Sequence, residues 1–149
     1  MTDNIFDSIE VVAAPLIVNS KGEILLIKSH KWGDVYLFPG GHVEQGETIF
    51  DAAKREGKEE TSLELEPQYC VNIHEVIFDP AFTRRAHLIS FHVVCKALTE
   101  GVILENSELQ EYIWIDPKKA LDLPNIRVKK SIENYLEGKK IDLHSKVFE

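Results

Sequence analysis

Basic residues are outnumbered in this chain: 17 Lys and Arg stand against 25 Asp and Glu in 149 residues, a net charge of −8. A surface of that sign disfavours nucleic acid polymers and membrane surfaces as partners. Cysteine is nearly absent, with only Cys70 and Cys95. That excludes a disulfide framework and suits a reducing compartment. Both lie in apolar runs, where they read as packing residues. No apolar run has membrane-spanning length and no signal peptide is present, so a cytoplasmic location is expected. Repeats, linkers and low-complexity tracts are also missing. One domain over residues 1–149 is the expectation, long enough to bury a substantial core.

What is present, and unusual, is the stretch from Pro39 to Leu63. Pro39, Gly40 and Gly41 break regular structure, and Glu44 and Glu47 follow in a polar loop. Thr48, with Asp51 three residues on, has the form of an N-cap with a capping-box partner. A helix is predicted from Ile49 to about Ser62, interrupted in composition only by Gly57. Ile49, Phe50, Ala53 and Gly57 share one side and predict its core face. Beside them Glu56, Glu59 and Glu60 recur at i, i+3 and i+4 and point the same way. Like charges so placed repel, and a divalent cation turns that repulsion into coordination. Arg55, at i−4 to Glu59, can hold that carboxylate in place. The plainer reading is a solvated face of mixed charge.

The spacing of Gly41, Glu47, Arg55, Glu56, Glu59, Glu60 and Leu63 resembles the Nudix box. Tyr36-Leu37-Phe38-Pro39-Gly40 is similar to the approach usual in that family. Two positions depart: Gly57 replaces an aliphatic residue and Ser62 replaces the closing glycine. The resemblance implies hydrolysis of a nucleoside diphosphate linked to another group, by water attack on phosphorus. It implies Mg²⁺, with Mn²⁺ as the alternative, held by Glu56, Glu59, Glu60 and the Gly40 carbonyl. Glu47 and Arg55 then orient those ligands. A further carboxylate is expected from the loop before the last strand. Glu108 is chosen over Glu111, because Glu111 lies inside that strand, where the pleat fixes its direction.

Along the rest of the chain, Glu10 to Asn19 is a β-branched run in which Pro15 suggests an edge or a bulge. Ser20–Glu23 reads as a turn and Ile24–Lys28 as the returning strand. Val35–Phe38 is a short third strand that delivers the glycines. After the helix, strands are predicted over Gln68–Phe78, Ala86–Ala97 and Leu109–Ile115. A helix starts at Asp116-Pro117, and the last runs from about Ile126 to Glu137, stopped by Gly138. This order describes an α/β fold with a mixed sheet between helices, in agreement with the α/β/α sandwich the resemblance implies.

Substrate contacts are expected from the Gly40 and Gly41 backbone, from Tyr36 as a stacking ring and from Arg84 on a phosphate. Trp32 and Phe82 are further stacking candidates, and His42 is either a phosphate contact or a solvated loop residue. His87 and His92, of opposite parity on one strand, cannot share a metal and read as structural. Pro80, 17 positions after Leu63, is near the ADP-ribose branch's proline without matching it. No tyrosine lies between Tyr69 and Tyr112, unlike the diadenosine-polyphosphate branch, and no coenzyme A signature precedes the box. Nucleoside triphosphates, ADP-ribose and nucleotide sugars stay open. The partner is a small nucleotide-derived molecule, and the chain a monomer or homodimer. The rival class is a Nudix-like domain that senses nucleotides without cleaving them.

Overall fold

The computed structural model describes residues 8–105 and 109–149. Strand β1 (Glu10–Val18) runs parallel to β6 (His87–Ala97) along its whole length. It also meets β2 (Ile24–Ser29), but only at Val18 and Ile24, through a turn in which Gly22 takes φ +77°. Beyond that point β1 and β2 diverge. The chain fills the wedge twice, as β3 (Tyr36–Leu37) on β2 and as β4 (Gly41–His42) on β1. Four strands therefore precede the acidic helix, not three. A two-residue Gly-His strand carries no periodicity, and it forms because β1 has an open edge there.

The same wedge explains Pro15, which sits neither on an outer strand nor in a bulge. Val11 accepts a backbone bond from Val43, so the odd residues of β1 turn their backbone groups toward the wedge. Pro15 shares that parity, and its missing N–H faces a place where no partner strand continues.

Strand β5 (Leu65–Ile77) is the outer strand beyond β6 and starts three residues earlier than predicted. Pro67 is tolerated because the register breaks between Pro67 and Tyr69. Strand β7 (Leu109–Ile115) pairs with the other edge of β2. Among the described residues seven strands form one mixed sheet.

Helix α1 (Ile49–Thr61) covers one face, where Ala13, Ile17, Leu25, Ala53 and Leu65 form a buried cluster. Helices α2 (Pro117–Ala120) and α3 (Lys129–Glu137) cover the other, over Ala14, Leu16, Leu26, Val94 and Ile132. The alternation of β1 thus feeds two cores, and the sheet lies between helices as an α/β/α sandwich. Helix α3 starts three residues later than predicted, because residues 125–127 bond to Tyr36 as a short bridge instead.

Helix α1 begins as expected, with Thr48 Oγ1 accepting from the Asp51 N–H at 3.1 Å. Its core stripe is rotated from the predicted one: Ala52, Ala53, Gly57, Glu60 and Thr61 are buried, while Ile49 and Phe50 are half-buried. Its last carbonyls are bonded by the loop that follows β6, through Ile103 N–H to Thr61 O and Glu105 N–H to Glu60 O, both 2.9 Å. Ser62 closes the helix at φ 65°, so the left-handed cap survives without its glycine.

The other departure, Gly57, is compensated in the packing. A Cβ there would collide with Leu65 Cδ1 and stand 3.1 Å from Pro15 Cγ. The volume of the missing aliphatic group is filled from β5 and β1. Alanine gains about 1 kcal/mol in helix propensity, but overpacking a closed core costs about 1–3 kcal/mol. Gly57→Ala is therefore expected to lower the melting temperature. A higher melting temperature would show that Leu65 can move aside.

Candidate active site

The site is built where the glycine segment crosses α1. Gly40 lies against β1 so closely that a Cβ would stand 2.8 Å from Ala13 O and Ala14 Cβ. Its N–H donates to Glu60 Oε2 at 2.9 Å. A Cβ at Gly41 would collide with the Glu56 carboxylate. Both glycines are thus required by close approach, one to backbone and one to a carboxylate.

Arg55 organises the acidic side chains. Its Nε and Nη2 grip Glu47 at 2.7 and 3.0 Å, and Nη1 reaches Glu56 at 2.8 Å and Glu59 at 3.2 Å. Nη2 also donates to the His42 carbonyl at 3.0 Å. The guanidinium beside Glu47 holds that carboxyl below its usual range, and the Glu44 N–H, donating to Glu47 Oε1 at 3.1 Å, adds to this. Glu47 in turn, and Glu56 after it, push the Arg55 pKa up, so this charge is permanent.

The structure keeps Glu56 and Glu59 together on one nitrogen and turns Glu60 inward to Gly40. Glu60 is buried, whereas the Glu59 side chain is 57% exposed. Among the described residues no three His, Cys, Asp or Glu side chains stand close enough to hold an ion as they lie. The donor set nevertheless fits a hard cation. It is all oxygen, a single guanidinium serves three carboxylates, and Gly41 leaves the Glu56 carboxylate unobstructed by a side chain. Glu108 lies outside the described residues. Glu111 is on β7, with Lys28 Nζ at 3.4 Å and the Tyr36 hydroxyl at 3.3 Å.

On the other side of the glycine segment a cavity of about 260 Å³ opens over the sheet face that carries α3. Gly40, Gly41 and His42 form one end. Trp32 and Phe82, stacked with centroids 4.5 Å apart, form a wall. Asp79 and Arg127, paired at 3.1 Å, lie at its edge, and His74, Ser90 and His92 line its floor. Tyr36 is not in that lining: its ring lies 4.7 Å from Lys28 Nζ, over β2. Arg84 does line the cavity, but its guanidinium is held bidentate by Glu10 at 2.6 and 2.8 Å.

Glu10 was invisible in the sequence as a site residue. Its side chain is fully buried and also meets His42 Nε2 at 2.6 Å. The Arg84 guanidinium holds its carboxyl below the usual range, against the opposing effect of burial, and His42 helps. A charged residue heading an otherwise apolar strand was the available signal. His42 belongs to β4 and not to a free loop. His92 is a core residue as expected: its Nδ1 is 2.6 Å from Ser131 Oγ, which accepts from Asn72 at 3.0 Å. Burial, then the neighbouring His74, lowers its pKa to about 3. Cys70 and Cys95 are free and buried, and burial pushes the Cys95 thiol up to about 12.

A mixed sheet between helices, with a glycine segment set against an acidic helix, defines the class: an α/β/α sandwich with a carboxylate-rich site beside a cavity. Residues 8–135 match the model of the NUDIX domain. The chain belongs to the Nudix family and is a Nudix-type pyrophosphohydrolase, a hydrolase of acid anhydrides. It is 27% identical over 138 residues to Phosphatase NudJ of Escherichia coli strain K12, spanning 89% of this chain and 87% of that one. Its fold is similar to a NUDIX hydrolase from Nitrosomonas europaea, with TM-score 0.74, 22% identity and 91% and 94% of the chains covered. The MutT protein from Methanosarcina mazei Go1 is also similar, with TM-score 0.73, 23% identity and coverage of 89% and 96%.

Proposed function

We propose that this chain is one Nudix domain over residues 1–149 that cleaves the phosphoanhydride of a nucleoside diphosphate derivative by water attack on phosphorus. The observation that carries this reading is the gathering of Glu56 and Glu59 on Arg55, directly behind the glycines that end the cavity. The two faces of one glycine segment then serve the two halves of a substrate. Phosphates meet the backbone of Gly40 and Gly41 on the acidic side. The nucleoside enters the cavity, against Trp32 and Phe82, with Arg84 at its wall.

Glu56, Glu59 and Glu60, with the Gly40 carbonyl, would hold Mg²⁺, with Mn²⁺ as the alternative. Bound there, the ion neutralises phosphate charge and lowers the pKa of an attacking water. Arg55 and Glu47 hold Glu56 and Glu59 on the same side of α1, and Glu60 would turn from the Gly40 N–H to join them on the ion. Glu108 is the proposed additional ligand or base. Its rival Glu111 is engaged by Lys28 and Tyr36 on β2 and β3, which supports that choice.

The test is a panel of ATP, ADP-ribose and UDP-glucose with Mg²⁺, following nucleoside monophosphate and the complementary phosphate product. Turnover of at least one is expected, and none of the three turning over would contradict the reading. With the best substrate, Glu108→Gln is expected to lower kcat at least tenfold and Glu111→Gln less than threefold. The reverse order would remove Glu108 from the site.

A further inference from the structure

We propose that Glu10 is a positioning residue that sets both halves of the site at once, through His42 toward the acidic helix and through Arg84 toward the cavity wall. The inference rests on the reading of α1 as the reacting end.

The geometry points both ways from one carboxylate. Glu10 Oε1 meets His42 Nε2 at 2.6 Å and Arg84 Nη2 at 2.6 Å, and Oε2 accepts from Arg84 Nη1 at 2.8 Å. Charge-assisted bonds this short, around a fully buried carboxylate, fix the groups that make them. His42 is held by its side chain to Glu10 and by its backbone to Arg55 Nη2, at 3.0 Å. It is the link between β1 and the guanidinium that aims Glu47, Glu56 and Glu59. Besides that anchor, β4 is kept on β1 by its two-residue pairing and by the Val43 N–H to Val11 O bond, and neither fixes the His42 side chain.

In the other direction, the Arg84 guanidinium carbon sits 5.1 Å from the Phe82 ring centroid, within cation–π range. Phe82 stacks on Trp32, and Thr83 N–H bonds to Lys31 O at 3.0 Å, which binds this loop to the one carrying Trp32. Placing Arg84 on Glu10 therefore places the aromatic wall. A buried carboxylate that only stabilised the fold would need neither of these two partners to line the cavity, yet both do.

Three variants separate the two arms: Glu10→Gln, His42→Gln and Arg84→Lys. The ¹⁵N spectrum reports each arm without any turnover, through the Arg55 Nε–H and the Trp32 indole N–H. Glu10→Gln is expected to displace both signals, His42→Gln that of Arg55, and Arg84→Lys that of Trp32. In steady state, with whichever of ATP, ADP-ribose and UDP-glucose the wild type hydrolyses, His42→Gln should lower kcat tenfold with KM within twofold. Arg84→Lys should raise KM at least fivefold with kcat within twofold, and Glu10→Gln should do both. Glu10→Asp, which keeps the charge, should recover part of each loss. If Glu10→Gln does not fold, the two single-arm variants carry the test. Unmoved signals, or variants that lower the melting temperature while kcat and KM stay within twofold, overturn the proposal. A wild type that hydrolyses none of the three substrates sinks the functional reading instead, and the spectra still decide this one.

Discussion

Glu56→Gln and Glu60→Gln are each expected to lower kcat by about two orders of magnitude or more, with the melting temperature of the metal-free protein nearly unchanged. Altering groups around metal ligands commonly costs about 10–100-fold, and a ligand's own charge should exceed that. The fold should tolerate both changes. In Glu60→Gln the new amide oxygen can still accept the Gly40 N–H that Glu60 Oε2 accepts in the wild type. Arg55 would keep Glu47 and Glu59 if Glu56 lost its charge. Less repulsion along α1 even favours the metal-free variants slightly. Steady-state kinetics at saturating Mg²⁺, beside melts in a chelator, make the comparison. Near wild-type turnover in both variants would remove these carboxylates from the chemistry.

The second large effect concerns acid stability. His92 is buried and neutral, with its pKa lowered from 6.5 to about 3 by burial and by His74. As pH falls below 6.5 the unfolded chain takes up a proton at this position and the folded one does not. Stability is therefore lost from about pH 6.5 downward, as the unfolded chain alone takes up the proton. His92→Gln removes that proton while leaving a group able to bond Ser131. Between pH 6.5 and 5, above most carboxylate titration, the wild type is expected to lose urea resistance faster than the variant. Parallel curves would mean that His92 protonates in the folded state.

The gathering of carboxylates on Arg55 was legible in the sequence, because these residues meet at short spacing. Arg55 reaches Glu47, Glu56 and Glu59 within one helix and its entry loop, so a linear pattern contains the contacts. Glu10 has no such signature. Its partners stand 32 and 74 positions away, and only the fold brings them to β1. Strand β4 escaped for a different reason: two residues, one of them glycine, show no alternation. The start of α3 was misplaced because residues 125–127 use their backbone on Tyr36, a tertiary choice that helical periodicity cannot show. At Gly57 the residue type read as a defect, whereas Leu65 and Pro15 had filled its place. Ser62 stands where the pattern has its closing glycine, and it adopts the glycine's left-handed conformation. In each case a distant neighbour decided the local outcome.

The most direct measurement is the fate of oxygen from water. Hydrolysis of the best substrate in H₂¹⁸O with Mg²⁺, followed by mass spectrometry of the separated products, locates the attacked atom. One ¹⁸O bound to phosphorus in one of the two phosphate products, with none formed when the metal is chelated, is the expected result. Products without label on phosphorus, or labelled products formed equally well in the chelator, would contradict the account.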